Sequence, residues 1–367
     1  MESFLFLPRY SRLAASARMR FYGLAEHARD QGHFVEVSPL LGDRYLKGRF
    51  ANTLFAERFA LLGLARRMKV MMSARRFDLT YVHIELFPKT PYGFERLFFP
   101  EGTPYVLDFD DAWFHSYDSH PNRVWRAVLQ GKFESLIAGA SGVVVGSRYL
   151  EDYACRFHDN VLLVPTSVDM QAFPKDPSTK SDDVFTVGWI GSPATTPHLS
   201  DVAQTITDFC RRVGGRLVVI GAGDTLFEDD TIVRKPWSEL EEVSDIAEFD
   251  VGIMPLPDTP FARGKCAFKL VQYMACRKPV IASPVGENVH VVNDSACGLL
   301  ATTHAEWRRA LEVLHGNPSL RAEMGRRGRE AVEERYSLQV NSGRVLAFLQ
   351  ECSRKSRSTT GRERCVD

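Results

Sequence analysis

Twice along the chain, short β-rich apolar runs alternate with segments of helical period, and one polar stretch separates the two series. The first series holds "SFLFL", then "MRFYGLAEHARDQG", then "HFVEVSPL", with further strand candidates at 79–84, 105–110, 142–145 and 161–164. In its first helical segment Phe21, Leu24 and Ala28 share one face, and Gly32 supplies a stop. The second series runs through "FTVGWIG", "RLVVIGAG", "TIVRKPW", "FDVGIMPLP", "KPVIASPVG" and "ACGLL". Strands separated by helices make right-handed βαβ units and a parallel sheet. Between the series lies "DMQAFPKDPSTKSDD", residues 169–183, polar and aperiodic, which reads as a linker. The expectation is two doubly wound α/β domains, 1–171 and 184–335, facing a cleft and presenting the loops at the carboxyl ends of their strands to it. A helix at 336–352 is expected to pack back on the first domain. The polar, basic tail 353–367 is expected to be disordered.

The chain's 367 residues are enough for two such cores. Its formal net charge of zero gives no global field to recruit nucleic acid. Seven cysteines, odd in number and without a C-x-x-C pair, argue against a disulfide framework or a zinc site. No apolar run approaches the roughly 18 residues of a membrane span. Glu2 stands where a signal peptide needs basic residues, so a cytoplasmic protein is expected.

The most informative stretch is "FARGKCAFKLVQYMACRKPVIASPVG", which begins at Phe261. It reads as a helix followed by a buried strand, yet it opens with Arg263, Lys265 and Lys269, and cations are disfavoured where a helix begins. Helical spacing would put Lys265, Lys269, Gln272 and Cys276 on one face. Two lysines one turn apart, beside free backbone N–H groups, suit a polyanion such as a diphosphate, or are a solvated basic face that happens to begin a helix. Two more loops follow strands in this half. Gly191 and Ser192 in "VGWIGSPATTPHL" could bring amides against a phosphate, and Gly286, Glu287 and Asn288 in "SPVGENVHVV" would open into the same cleft.

These residues, in the order "VGWIGSPATT", "VIGAG" and "RKPWSELEEVSDIAEFDVGIMPLPDTPFARGKCAFKLVQYMACRKPVIASPVGENVHVV", closely resemble the C-terminal domain of retaining glycosyltransferases of family 4, within the glycosyl transferases group 1. The resemblance extends through "ASARMRFYGLAEHARDQGHFVEVSPL" and "VLDFDDAWF" to about Leu349. It implies the GT-B fold of two Rossmann-like domains. It also implies transfer of a sugar from a nucleotide-sugar donor, a substrate rather than a cofactor, held by the second domain, to an acceptor held by the first, without a catalytic metal. The family's two acidic residues on this helix correspond to Gly264, which has no side chain to hold a sugar, and Gln272, which can still reach a ribose hydroxyl. Trp189 stands where the family has an Arg, so charge for the diphosphate falls to Lys265, Lys269 and Arg263. Glu287 and Asn288 would then lie on the sugar side.

In the first domain "VLDFDDAWFHSYDSH" sets Asp108, Asp110 and Asp111 at and beyond a strand end. By resemblance Asp110, with Asp111 next, takes the place of the family's catalytic or acceptor-positioning residue. A carboxylate there would accept the acceptor's proton or stabilise positive charge on the sugar. The same motif also admits a D-x-D metal site, an aspartyl-phosphate nucleophile or a helix cap. Glu85 ends another strand and could bind acceptor hydroxyls or pair with a neighbouring cation. Ser16, Arg18 and Arg20 fall in the first strand-to-helix loop, suited to an anionic acceptor or the donor phosphate.

From Arg44 to Arg76 nine Lys or Arg residues stand against Glu57 alone, interleaved with apolar residues. Such a segment can lie on an anionic bilayer or be an ordinary solvated helix face. The function expected is a glycosyltransferase of cell-surface polysaccharide or glycolipid synthesis, with a glycan or lipid-linked acceptor. The alternatives are a non-catalytic nucleotide-sugar-binding relative and a sugar-nucleotide epimerase of the same architecture.

Overall fold

The computed structural model describes residues 1–50, 56–99, 104–174, 182–224 and 226–360. The chain divides into two compact units, Met1–Thr166 with Leu338–Asp367, and Ser167–Ser337. Each contains a six-stranded sheet in which all pairings are parallel.

In the first unit the strands are β1 (Ser3–Leu7), β2 (Phe34–Val37), β3 (Leu79–His83), β4 (Tyr105–Phe109), β5 (Gly142–Val145) and β6 (Val161–Leu163), in the order β2-β1-β3-β4-β5-β6. In the second they are β7 (Thr186–Ile190), β8 (Arg216–Ile220), β9 (Ile232–Lys235), β10 (Val251–Met254), β11 (Val280–Ala282) and β12 (Gly298–Leu300), in the order β12-β11-β10-β7-β8-β9. Both are doubly wound. The central strands are buried on both faces, which explains why they read as unbroken apolar runs rather than as alternation.

The order fixes where a ligand can be received. Strand order reverses between β1 and β3 in the first unit and between β7 and β10 in the second. At such a switch point the loops leaving neighbouring strands diverge to opposite faces and open a crevice at the carboxyl ends. The loops after β7 and β10 contain "GSPATT" and "PLPDTPFARGKCA"; those after β1 and β3 contain Arg9 and Glu85.

The C-terminal segment and the linker hold more regular structure than their composition suggests. The helix Leu338–Thr360 belongs to the first unit, where Val345, Leu346, Phe348, Leu349 and Cys352 enter the core beside Phe4, Phe21 and Val106. It runs past the expected start of the disordered tail, because Ser353 is itself buried; residues 361–367 lie outside the described residues. Within the linker a short 3₁₀ turn, Met170–Ala172, is capped by Asp169, whose carboxylate accepts from the Gln171 amide at 3.0 Å.

Candidate functional site

In the second unit the segment after β10 is two helices rather than one. Thr259 caps the first, Pro260–Arg263, by accepting from the Ala262 amide at 3.2 Å, and Pro260 presets its first turn. The chain then breaks at Gly264, and Ala267 adopts left-handed geometry at φ 53° before the second helix, Phe268–Ala275. An alanine held there is strained, of the kind tolerated where surrounding packing enforces it. Lys265 therefore precedes the second helix, and the expected single face of Lys265, Lys269, Gln272 and Cys276 does not form.

The break resolves the clash of charges at the helix start. Arg263 lies at the end of the first helix and makes a bidentate pair with Asp258, 2.6 and 2.9 Å, on the surface. Lys269 alone occupies the first turn of the second helix. Its ammonium sits 4.4 Å from the centroid of the Trp189 ring and 3.5 Å from Thr195 Oγ1. The ring face offers the cation a favourable quadrupole without neutralising it. Among the described residues Lys269 has no carboxylate partner. Burial, followed by the charge of Lys265, pulls its pKa down to about 7. His198, on the first turn of the helix Thr196–Val213, is also held below its ordinary value, by burial and then by Lys265 and Lys269, against the opposing pull of Asp201. Lys265, Lys269 and His198 thus lie within electrostatic reach of one another beside the switch point at the carboxyl end of β7, and their proximity disfavours the charged forms of Lys269 and His198.

The glycine loops serve this arrangement differently from the sequence expectation. The Gly191 amide donates to the Ile220 carbonyl at 2.9 Å, so it extends the sheet rather than facing a ligand. A Cβ on Gly191 would come within 2.2 Å of the Trp189 ring, so the glycine makes room for the indole under Lys269. The Ser192 amide donates to Thr195 Oγ1 at 3.0 Å within a capping box, so it too is spent. Gly286, at φ 55°, lets the loop after β11 press on the Arg263 carbonyl, which a Cβ would approach to 2.2 Å. Glu287 and Asn288 are both buried on the next helix, and Asn288 donates to the Ser283 carbonyl at 3.1 Å, bracing that turn. Gln272 is buried and donates to Glu242 Oε1 at 2.8 Å, while Glu242 Oε2 accepts from the Trp237 indole at 2.7 Å. The Gln272 amide therefore points into an internal network.

In the first unit the strand ends are densely paired. Arg20 and Ser16 are not in a loop. Ser16 is half-buried in a short helical turn, and Arg18 and Arg20 lie buried in the π-helical turn Arg18–Tyr22. Arg20 turns inward to Asp108 with a bidentate pair at 2.6 and 2.9 Å, and Tyr81 donates its hydroxyl to the same carboxylate. Asp108 is fully buried by these partners and is not open to a metal ion or a phosphate. Glu85 is likewise committed. Its oxygens accept from Arg9 at 3.2 Å, Tyr117 at 2.9 Å and Lys132 at 2.6 Å. Lys132 also pairs with buried Glu95 at 2.7 Å, whose pKa burial pushes up. Glu85 therefore braces the strand end and has no oxygen left for an acceptor hydroxyl.

Asp110 is paired as well, but it is less buried than these carboxylates. It is half-buried just past β4, and its Oδ1 lies 2.9 Å from His83 Nε2 at the end of β3. Burial works to raise its pKa, but the charge and hydrogen bond of His83, with Arg20 behind, outweigh that and hold the carboxyl well below the usual range. His83 Nδ1 accepts from the Arg9 amide at 3.4 Å, so the carboxyl ends of β1, β3 and β4 meet at this carboxylate. Asp111 is half-exposed in the following turn.

Nothing in the sequence alone marks His83 or His198, and Trp189 stands out there only as a replaced Arg, not as a platform for Lys269.

Residues 184–317 match the family model of the glycosyl transferases group 1. A D-inositol 3-phosphate glycosyltransferase of Arthrobacter sp. (strain FB24) is 31% identical over 101 residues, 27% of this chain, and the match spans only 23% of that relative's length. The sucrose-phosphate synthase of Thermosynechococcus elongatus is 14% identical, with 98% of this chain and 100% of that chain covered at a TM-score of 0.70. Anabaena Alr3699/HepE in complex with UDP is 15% identical, with 96% of this chain and 100% of that chain covered at a TM-score of 0.69. At these identities the likeness to the solved structures is one of fold, and the fold is GT-B.

Proposed function

We propose that the chain is a glycosyltransferase that moves a sugar from a nucleoside-diphosphate sugar to an acceptor hydroxyl. The observation that carries this reading is Lys269, whose ammonium lies over Trp189 within electrostatic reach of Lys265 and His198, beside a switch point inside the stretch matched by the group 1 family model. A half-buried ammonium without a counter-ion is destabilised until an anion arrives, and a diphosphate supplies that anion.

In this reading Lys265 and Lys269 neutralise the departing diphosphate, which makes the reaction independent of a divalent metal. Gly191 and Ser192 shape the phosphate loop through Trp189 and the capping box rather than by donating amides. Gln272, Glu287 and Asn288 set the walls of the nucleotide and sugar pocket from behind, and Arg263 stays with Asp258. Asp110, kept ionised beside His83 and therefore a weak base, stabilises the positive charge developing on the sugar while the acceptor's proton passes to the departing diphosphate, with Asp111, Ser16 and Arg18 on the acceptor side. The family resemblance to family 4 supplies retention of anomeric configuration. The acceptor is a glycan or lipid-linked sugar of cell-surface polysaccharide or glycolipid synthesis, met in the cytoplasm at the inner face of the membrane.

The test is nucleotide-dependent thermal stabilisation with UDP, GDP, ADP and TDP, with and without magnesium, followed by nucleotide release from the matching donor across an acceptor panel. Stabilisation by one diphosphate in EDTA, with acceptor-dependent release and a product whose anomeric proton couples as in the donor, is expected. Stabilisation without release from any acceptor would leave a nucleotide-sugar-binding protein that performs no transfer, and no stabilisation at all would remove the donor site.

A further inference from the structure

The loop that leaves β3 turns on a residue ill-suited to its conformation. Ile84 has φ 67°, and of the described non-glycine residues at positive φ it alone is β-branched. A β-branched side chain is crowded there by its own backbone, and such conformations persist only where the surroundings enforce them. The Ile84 amide still donates to the Asp108 carbonyl at 2.9 Å, the last rung between β3 and β4, and the Glu85 amide donates back to the His83 carbonyl at 2.8 Å. A hydrogen bond from the third residue to the first, closed around a positive φ, is the rare and strained form of the γ-turn. Glycine would adopt it freely, yet the chain places there an Ile that is 1% exposed.

Both neighbours of Ile84 are held. On one side His83 presents Nε2 to Asp110 Oδ1 at 2.9 Å. On the other, Glu85 is enclosed by Arg9, Tyr117 and Lys132. The residues that follow are pinned by the same enclosure. Glu95 accepts from the Leu86 and Phe87 amides at 3.2 and 2.8 Å, Lys132 donates to the Phe87 carbonyl at 2.8 Å, and the Tyr117 hydroxyl accepts from the Lys89 amide at 2.8 Å. An extended residue at 84 would direct His83 and Glu85 to the same side of the strand. The turn lets His83 reach Asp110 while Glu85 reaches Tyr117 and Lys132 on the helices Phe114–Asp118 and Lys132–Ala138.

We propose that Ile84 and Glu85 are positioning residues for Asp110: the enclosed Glu85 holds the strained turn closed, and the closed turn sets the His83 ring against the Asp110 carboxylate. The proposal rests on the transfer reading above, in which Asp110 faces the charge developing on the sugar. When Glu85 is released the turn relaxes toward negative φ, His83 follows, and the carboxylate loses the partner that fixes its direction. A misplacement of about 1 Å is enough to lower turnover by up to about 10²-fold.

The test is a double-mutant cycle on the full chain. Glu85→Gln keeps the size of the side chain and removes the charge that draws Lys132 and Arg9. It should lower kcat about tenfold at unchanged donor KM, and nitrogen NMR of isotope-labelled histidine should show the His83 ring resonances moving as Nε2 leaves Asp110. Added to Ile84→Gly, where the turn forms without strain, the same change should lower kcat by no more than about twofold further. Tyr117→Phe, which takes away only a hydroxyl, is the milder release and should move the same resonances, so the cycle does not depend on a single variant. Cooperative melting and nucleotide stabilisation check the fold of each protein. Equal losses from Glu85→Gln with and without Ile84 would overturn the proposal, since Glu85 would then serve the buried network alone. Turnover that falls while the His83 resonances stay in place, or resonances and turnover that both stay as in the wild type, would also overturn it. The resonances need no substrate, so a wild type without acceptor-dependent nucleotide release would remove the transfer reading while the spectra still decide whether the turn places His83.

Discussion

The two units share a sheet architecture and treat charge at their strand ends in opposite ways. In the first, Arg20 answers Asp108, and Lys132 and Arg9 answer Glu85 and Glu95, so that these buried charges at the strand ends are paired and hydrogen-bonded. In the second, Lys265, Lys269 and His198 crowd one another, and Lys269 meets an aromatic face in place of a carboxylate. A paired network gives a rigid frame that needs no ligand. A cluster of like charges stores repulsion that an anion relieves. In the proposed reading the first unit presents a preset carboxylate, Asp110, on a rigid base, while the second awaits the anion of its donor.

The sharpest way to break this contrast is to remove the carboxylate. Asp110→Asn should lower kcat by roughly 10²–10⁴-fold, the range of a lost acid–base or charge-stabilising group, while leaving nucleotide stabilisation intact. A variant with normal turnover would move the acceptor-side chemistry elsewhere. Next comes the frame itself. Arg20→Leu strands Asp108 in the core with Tyr81 as its main remaining partner, and breaking a buried pair from one side costs about 3–5 kcal/mol. Denaturant unfolding should show that loss, and a loss below about 1 kcal/mol would mean that Asp108 simply protonates. Lys269→Met should act in the opposite direction. Removing a half-buried cation that has no counter-ion should raise the melting temperature of the free protein, while nucleoside-diphosphate affinity falls about 10²-fold, or about 2.7 kcal/mol. A variant less stable than wild type, or one that binds as well, would sink the idea of a charge awaiting its anion.

How much of this was readable beforehand depends on the sequence distance of the partners. The strands were legible because a parallel strand buried on both faces is apolar throughout, and "SFLFL" and "RLVVI" hold no other reading in an alternating series. Lys265 and Lys269 stood out because cations at a helix start violate a local rule, even though the left-handed Ala267 splits the helix they were assigned to. What was not legible involves partners that only the fold brings together. Asp108 meets Arg20 across 88 residues, and Gln272 meets Glu242 across 30, so a Gln read as a ribose ligand is an internal strut. His83 reaches Asp110 because β3 and β4 pair in register, which no spacing reveals. The stretch 353–360 is helical where its polar composition suggests a disordered tail, because Ser353 still lies in the helix's buried stripe.

The smallest effect is also the most diagnostic, because one titration moves two observables in opposite senses. Burial and the charge of Lys265 pull the Lys269 pKa down to about 7 in the folded, unliganded protein, against the ordinary lysine value of 10.5 in the unfolded chain. Between those limits the unfolded state binds more protons, so this group makes the free protein more stable as pH rises from about 7 and adds nothing further below it. A bound diphosphate favours the charged form and raises the folded pKa. Affinity should therefore be full below about pH 7 and fall above it, approaching a tenfold loss per pH unit until the pKa of the complex is reached. Calorimetric titration of the diphosphate between pH 6 and pH 9, beside melting curves of the free protein, measures both slopes. In Lys269→Met both contributions vanish together. If the slopes run in the same direction, or if the wild-type and variant slopes coincide, the charge sensed by the ligand is not at Lys269, and the contrast between the two units loses its physical basis.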